Sequence, residues 1–260
     1  MIAPVSHWLG TATHLTPLRY GVEVSESHPE RFSFRTTLSG SAWAYDTSRA
    51  GGTRPRSWTA DFSLLDADDL AVLAEFDQGH WGPGPFVFVP AAATVSNVLT
   101  PVQASLYGAA ANDGVGMTGP DGLWRPASVA GNYSVTTPAV PGLPVSAAAD
   151  VSGAGASLTI TLRNASGASV ATASSDPDSG TGPRRLTVSV PAHNTAVSAT
   201  LSVSATRSSR HQVAWTSSAP ERYAPGQSAS SVVVQSVSSA ARGIYAGSPY
   251  YGGSITIQEV

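Results

Sequence analysis

Asp66, Asp68 and Asp69 form the densest cluster of potential metal ligands in the sequence. Their spacing is not that of a calcium loop. Asp66 stands where a helix N-cap belongs, with Asp69 three residues on in the manner of a capping box. Both carboxylates would sit at the positive end of the helix dipole, so helix capping explains the trio and no metal is expected. The six histidines, at 7, 14, 28, 80, 193 and 211, are scattered, and no pair has metal-ligand spacing on a helix. His80 lies beside Trp81 in a loop with neither an acid nor a serine in view to make it a base. Ser152, Ser166 and Ser179 each precede a glycine, but none has the second glycine of a nucleophile elbow. Glycoside hydrolysis needs two facing carboxylates; Asp121, Asp150, Glu221 and Glu259 are among the few acids after residue 100, and spacing alone does not pair them. Glycine loops that cradle phosphate are absent. With no cysteine, disulfides, thiolate catalysis and cysteine-ligated zinc all fall away. The reading is a chain that is not an enzyme and needs no cofactor.

The aromatics of the second half are Trp124, Tyr133, Trp215, Tyr223, Tyr245, Tyr250 and Tyr251, flanked by Ser, Asn and Gln. A sugar-binding β-sandwich uses flat aromatic faces beside such groups. Equally, large aromatics fill cores and cover sheet edges. The candidate carbohydrate-binding residues are Trp215, Tyr223, Tyr250 and Tyr251, the last two in the loop-like GSPYYGGS.

The elements that position these groups are punctuated most clearly between Trp58 and Pro90. Trp58, Ala60, Phe62 and Leu64 alternate with polar residues as a half-buried strand. After the Asp66 cap, Leu70, Leu73 and Phe76 give a helix its apolar face, and Gly79 supplies a left-handed stop. The turn Trp81-Gly82-Pro83-Gly84-Pro85 then feeds Phe86-Val87-Phe88-Val89, apolar on both faces and so buried on both sides or covered by a partner. Upstream, Leu18–Val24 and Arg31–Leu38 read as strands, the latter with Phe32 and Phe34 on one face, and Asp46–Pro55 as a loop tip or an arm toward a neighbouring subunit. Pro90–Pro101 is alanine-rich and proline-bounded, a linker with a boundary near Thr100.

Beyond it, apolar segments recur at roughly ten-residue spacing with turn signals between them. They are Ser128–Thr137, Pro144–Val151, Ser157–Leu162, Ser169–Ala173, Arg185–Val190, Ala196–Ala205, His211–Thr216, Ser231–Val237 and Ser254–Val260. The class expected is mainly β. A β-rich α+β domain with one short helix occupies residues 1–100, and an antiparallel β-sandwich of jelly-roll type occupies residues 101–260.

Charged residues make up 12% of the chain, about half the usual share, which suits a surface that meets other protein surfaces. All 14 basic residues are arginines, a mark of a GC-rich genome. The net charge is −3 and no basic run exceeds Arg184-Arg185, so a nucleic-acid-binding face is not expected. The first residues lack a basic n-region and a long apolar core, so no secretory signal is expected. No stretch is greasy enough to insert in a membrane.

Trp58, LDADDLAVLAEFDQG at 65–79, HWGPGPFVFVP at 80–90 and SNVLTP at 96–101 together resemble the minor tail proteins of long-tailed actinobacteriophages, of the distal-tail type. The resemblance continues through VPGLPV at 140–145, LTITLRNASGASV at 158–170, RLTVSVPA at 185–192, YAPGQ at 223–227 and SITIQEV at 254–260. It covers nearly the whole chain in pieces, and the order of the motifs is more specific than any one of them. The resemblance implies an N-terminal ring-forming domain at the end of the tail tube, followed by a carbohydrate-binding-module-like jelly roll. Such rings are typically sixfold and sit between the tube protein and the tip or hub proteins. Trp81, Phe86 and Phe88 are then the candidate subunit-interface residues. The YAPGQ turn lacks the tryptophan often found ahead of its Pro-Gly, and the Asp113–Asp121 glycine loop has no counterpart. The family brings no catalytic residues. The expectation is a virion protein assembled in the bacterial cytoplasm, a homo-oligomeric ring joining tube to adsorption apparatus. The alternative is a module recognising a host cell-wall glycan.

Overall fold

The computed structural model describes residues 6–18, 22–27, 32–36, 42–46, 55–245 and 248–260. The expected Asp46–Pro55 loop falls largely outside these, as do the side chains of Phe32, Phe34 and Leu64. In chain order the elements are β1 (His7–Gly10), β2 (Leu15–Leu18), β3 (Val22–Ser27), β4 (Phe32–Thr36), β5 (Ala42–Asp46), β6 (Ser57–Leu65), α1 (Ala67–Asp77), β7 (Phe86–Val89), α2 (Ala91–Val95) and α3 (Pro101–Ser105). There follow β8 (Met117–Thr118), β9 (Trp124–Arg125), β10 (Val129–Pro138), β11 (Val145–Ser152), β12 (Ser157–Arg163), β13 (Ser169–Ser174), β14 (Arg184–Val190), β15 (Ser198–Ala214), β16 (Ala229–Tyr245) and β17 (Ser248–Glu259). The fold is mainly β with antiparallel sheets. No helix among the described residues is long and apolar enough to cross a membrane.

Two compact units interleave along the chain: Met1–Pro17 with Val87–Ser230, and Leu18–Phe86 with Ser231–Val260. A single cut near Thr100 therefore does not separate them.

In the first unit β15 is the spine. Along one edge it pairs with β12 and then with β11; along the other it pairs with β10. The sheet runs β13-β12-β15-β11-β14 and curls until β14 returns beside β12 and β13. Strict alternation puts Leu158, Ile160 and Leu162 of β12 and Leu201 and Val203 of β15 inside, all essentially inaccessible. Val145, Ala147, Ala149 and Val151 of β11 complete that face of the core.

Pro90–Pro101 is not a linker. α2 and α3 occupy its two ends, and Thr100 and Gln103 form a reciprocal capping box with Pro101 in the first turn. Between the helices Asn97 is fully buried. Its amide donates to the carbonyls of His211 (3.1 Å) and Ala224 (2.8 Å), and its Oδ1 accepts from the backbone N–H groups of Leu99 and Val213, both 3.2 Å. Asn97, together with the backbone bonds from Val98 N–H to Val213 O and from Trp215 N–H to Thr94 O, takes the place of a strand along this edge of β15. Gly226 is required against it, because a Cβ there would run into the carbonyls of Leu99 and Thr100.

In the second unit the order is β3-β6-β17-β16. Trp58, Ala60 and Phe62 of β6 are buried as their alternation demands. Asp66 caps α1 by accepting from the N–H of Asp69 at 2.7 Å, and Gly79 ends it at φ +75°. Arg56 forks onto Glu259, with Nε to Oε2 at 3.1 Å and Nη2 to Oε1 at 3.3 Å, tying the start of β6 to the end of β17.

Asn97→Ala removes the side-chain partner of four backbone groups, three of them buried, and each lost partner of a buried group costs about 1–3 kcal/mol before relaxation. The variant is expected to lose about 3 kcal/mol or more in urea unfolding. An unchanged midpoint would contradict the role given to Asn97.

Candidate functional site

The aromatic residues singled out by sequence do not form one site. Trp215 is core: it is 5% exposed, donates Nε1–H to the carbonyl of Pro138 and meets Trp8 edge-on at 5.9 Å. Tyr223 is half-buried beneath the Arg210 guanidinium, 5.1 Å from the ring centre. Tyr250 and Tyr251 are half-buried neighbours on one strand, so they point to opposite faces and cannot share a ligand ring. Among the expected interface residues, Phe86 and Phe88 are 5% and 0% exposed within the chain itself. That corrects their placement at a surface: Phe86 meets Phe76 edge-on at 5.2 Å, and Phe88 stacks with His7 at 6.1 Å. Trp81 is half-buried, stacked on Phe76 at 4.6 Å with its Nε1–H donated to Glu75.

A different constellation gathers on the outer side of β15. Between the pairs Ala148–Gln212 and Asp150–Ser209, β11 advances two residues while β15 advances three. This β-bulge puts Arg210 at φ +50°, a left-handed backbone that costs a non-glycine residue about 1–2 kcal/mol. The bulge aims the guanidinium at Asp121 (3.4 Å), Asp150 (3.9 Å) and the face of Tyr223. Asp150, 1% exposed, is held at 2.7 Å by Arg185, which also donates to Gln212. Asp121 and Asp150, which spacing could not pair, are thus joined through one arginine.

Asp121 belongs to an excursion from Leu106 to Ser128 that carries the short hairpin β8–β9. Its turns are closed by side chains: Asn112 accepts from the N–H of Gly114, Asp113 from Val115 and Asp121 from Leu123. Its ion pairs are Arg207 with Asp113 (2.9 Å), Arg125 with Asp121, and Arg210 with Asp121. Arg207 also donates to the carbonyl of Val115 and to Ser128 Oγ. The result is a loop pinned to the sandwich at Arg207 and Arg210. It displays Trp124 (63% exposed) and Leu123 (61%). In sequence this is the Asp113–Asp121 glycine loop, named there without a role; the signal for one is the run of Asn/Asp-Gly turns around a tryptophan.

The electrostatics follow from these contacts. The Arg207 guanidinium, then the Val115 N–H, holds the Asp113 carboxyl below the usual range. The N–H of Leu123, followed by Arg125 and Arg210, does the same for Asp121. Beneath the sheet, His211 is fully buried, with Nε2 3.0 Å from Ser208 Oγ and its ring 4.4 Å from Tyr133. Burial first, and the Arg185 charge second, lower its pKa from 6.5 to about 3. Tyr133 and Tyr223 are pushed up by burial.

The sequence matches no known protein family and no curated protein. Among solved structures the chain is similar to the enzymatically active domain of tailspike protein 4 of bacteriophage CBA120, at 9% identity and a TM-score of 0.29. The match covers 75% of this chain and 19% of that one, so the chain spans about a fifth of its length. The neighbour is a tailspike domain of a phage, and no residue role passes across this likeness. It does correct one expectation: the chain was read as not an enzyme, and the solved structure it resembles is an enzymatically active domain. The exclusion of catalysis is withdrawn.

A histidine whose pKa is depressed on folding binds its proton in the unfolded state first, so stability rises with pH. Its contribution is complete above pH 6.5 and is lost as pH falls toward about 3, at up to about 1.4 kcal/mol per pH unit. Asp113 and Asp121 act only lower, below the ordinary value of 3.8. Unfolding free energy measured from pH 7 to 4 should therefore decline in the native chain and decline less in His211→Gln. Equal slopes would contradict a neutral buried His211.

Proposed function

We propose that the chain is a structural subunit of a phage tail, of the distal or minor tail type, that forms a homo-oligomeric ring joining the tail tube to the tip and adsorption apparatus. The observation that carries this reading is the outer half of the β16–β17 hairpin. From Ser238 to Ile244 every residue of β16 is exposed, Ile244 at 76%. The pairs Ser239–Gly253, Ala240–Gly252 and Gly243–Tyr250 continue the ladder to the tip. β6 pairs with β17 as far as Tyr251–Leu65, while this stretch of β16 stays exposed, and an uncovered strand invites pairing with another chain. Ser238, Ser239, Ala240 and Ala241 are small, so a second backbone can come close there. A neighbouring copy in a head-to-tail ring would cover this arm with a different surface of the same protein. The low charge and the order of the tail-protein motifs support the same reading, with a sixfold ring, the tube protein and the tip or hub proteins as neighbours, and the virion as its location.

A second reading, recognition of a host cell-wall glycan, is favoured by one observation: the exposed indole of Trp124 on a pinned loop.

The ring is tested by light scattering and negative-stain imaging of the purified chain and of tails that contain it. Closed rings are expected. Ala240→Asp with Ile244→Asp should abolish them while changing unfolding free energy by only about 0.5 kcal/mol per site. A chain that stays monomeric at high concentration, with no ring in tails, would contradict the proposal.

A further inference from the structure

We infer that the outer half of β16 seats on the free edge of strand β3 of a second copy, with Arg242 of one copy set against the Glu23–Asp61 pair of the next. This rests on the ring reading above and deepens it by naming the surface that receives the β16 arm and the charge that fixes its register.

The strands β3-β6-β17-β16 leave two edges. Among the described residues nothing pairs with the outer edge of β3, and Ser238–Ile244 of β16 is exposed throughout. Every pairing in between is antiparallel, β3 to β6, β6 to β17 and β17 to β16, so β16 runs opposite to β3. A second copy brought round by rotation therefore offers its β3 to β16 in the antiparallel sense, and the alternation carries on across the junction. The lengths agree: β3 has six residues and the exposed stretch of β16 has seven. Seating Val22–Ser27 antiparallel on Ser238–Ile244 puts Glu23 opposite either Gly243 or Arg242. Within one sheet Val22 shares its row with Ser239, through Phe62 and Gly253. The seating therefore staggers the next sheet along the strands, as closing a sheet on itself requires.

Charge picks out the same junction. Glu23 and Asp61 are register partners, acidic residues at directly opposite positions, which destabilises a sheet on its own. Asp61 is exposed and has no ion-pair partner among the described residues. β3 carries two acids and no base, whereas Ser238–Ile244 carries Arg242 and no acid. Arg242 is also exposed and without an ion-pair partner among the described residues. It lies over Gly252, where a Cβ would meet its Nε at 2.6 Å. Strand alternation puts Gly252 on the face of Ser254, and Ser254 is the register partner of Asp61. Guanidinium and carboxylate thus share a face of the sheet, and the junction brings a lone cation to two opposed acidic positions. Two β16 arms paired with each other would instead draw arginine toward arginine, which disfavours an isologous contact.

Assembly of the full chain is followed by light scattering across a concentration series, with negative-stain imaging of the products. The native chain and Asp61→Arg are expected to form rings. Arg242→Glu should raise the concentration needed about tenfold or more, the effect of like charges forced together. Adding Asp61→Arg to Arg242→Glu should return assembly toward the native range. Both side chains are exposed, so the urea midpoint should be common to all four chains. Rings that form equally well with Arg242→Glu overturn this junction and leave the ring reading standing. A loss of rings that Asp61→Arg does not restore overturns the charge pairing in the same way. A native chain that forms no ring overturns both.

Discussion

Arg210 occupies a backbone conformation that side chains avoid, and what it gains there is reach. From the bulge in β15 one guanidinium contacts Asp121 on the excursion, Asp150 in the sheet and the ring of Tyr223. The backbone strain of about 1–2 kcal/mol is offset by charge-assisted contacts to partly buried groups, which are worth more than surface pairs. Without the bulge, residues after 209 would fall on the other face of the sheet. His211, Val213 and Trp215 would leave the core and Arg210 would lose its partners. The inner packing of the sandwich and the outer display of the loop therefore rest on the same irregular residue.

Much of this fold is legible in the sequence. Strands such as β12 and β14 announce themselves because one face is buried and the other wet, so Leu158, Ile160 and Leu162 or Val188 and Val190 recur at every second position. The N-cap at Asp66 and the stop at Gly79 fall where cap chemistry puts them. β15 reads as two strands because its irregularities, near residue 206 against β10 and at Arg210 against β11, each reset the alternation. The two short helices around Asn97 look like a linker because their stability comes from a buried asparagine side chain, which leaves no periodic pattern. The interleaving of the units is also invisible locally, since the pairing of β17 with β6 joins residues nearly two hundred positions apart.

The functional residues were harder to read for a related reason. Exposure depends on which face of which strand a side chain takes, and bulges decide that. Trp215 follows Val213 onto the core side, whereas Trp124 sits on a two-residue strand paired with β8, its ring close to Gly116. A glycine a few residues ahead of a tryptophan in a tight hairpin is a weak signal in sequence. The Asp113–Asp121 loop, without a counterpart in the tail-protein pattern, is where the chain's exposed apolar side chains concentrate: Tyr107, Val115, Leu123 and Trp124 all lie on it or at its base.

Held at Arg207 and Arg210, the excursion is a pinned platform and not a loose loop. Amide hydrogen exchange of the native chain at neutral pH measures that directly. If the claim is right, the N–H groups of Val115, Gly119 and Leu123, held by Asp113 Oδ1, the Leu123 carbonyl and Asp121 Oδ1, exchange far more slowly than in an unfolded chain. That protection falls when Arg210 is replaced by glycine, which keeps the bulge and removes the guanidinium. Exchange at unfolded-chain rates in the native protein, or protection that Arg210→Gly leaves intact, would contradict it.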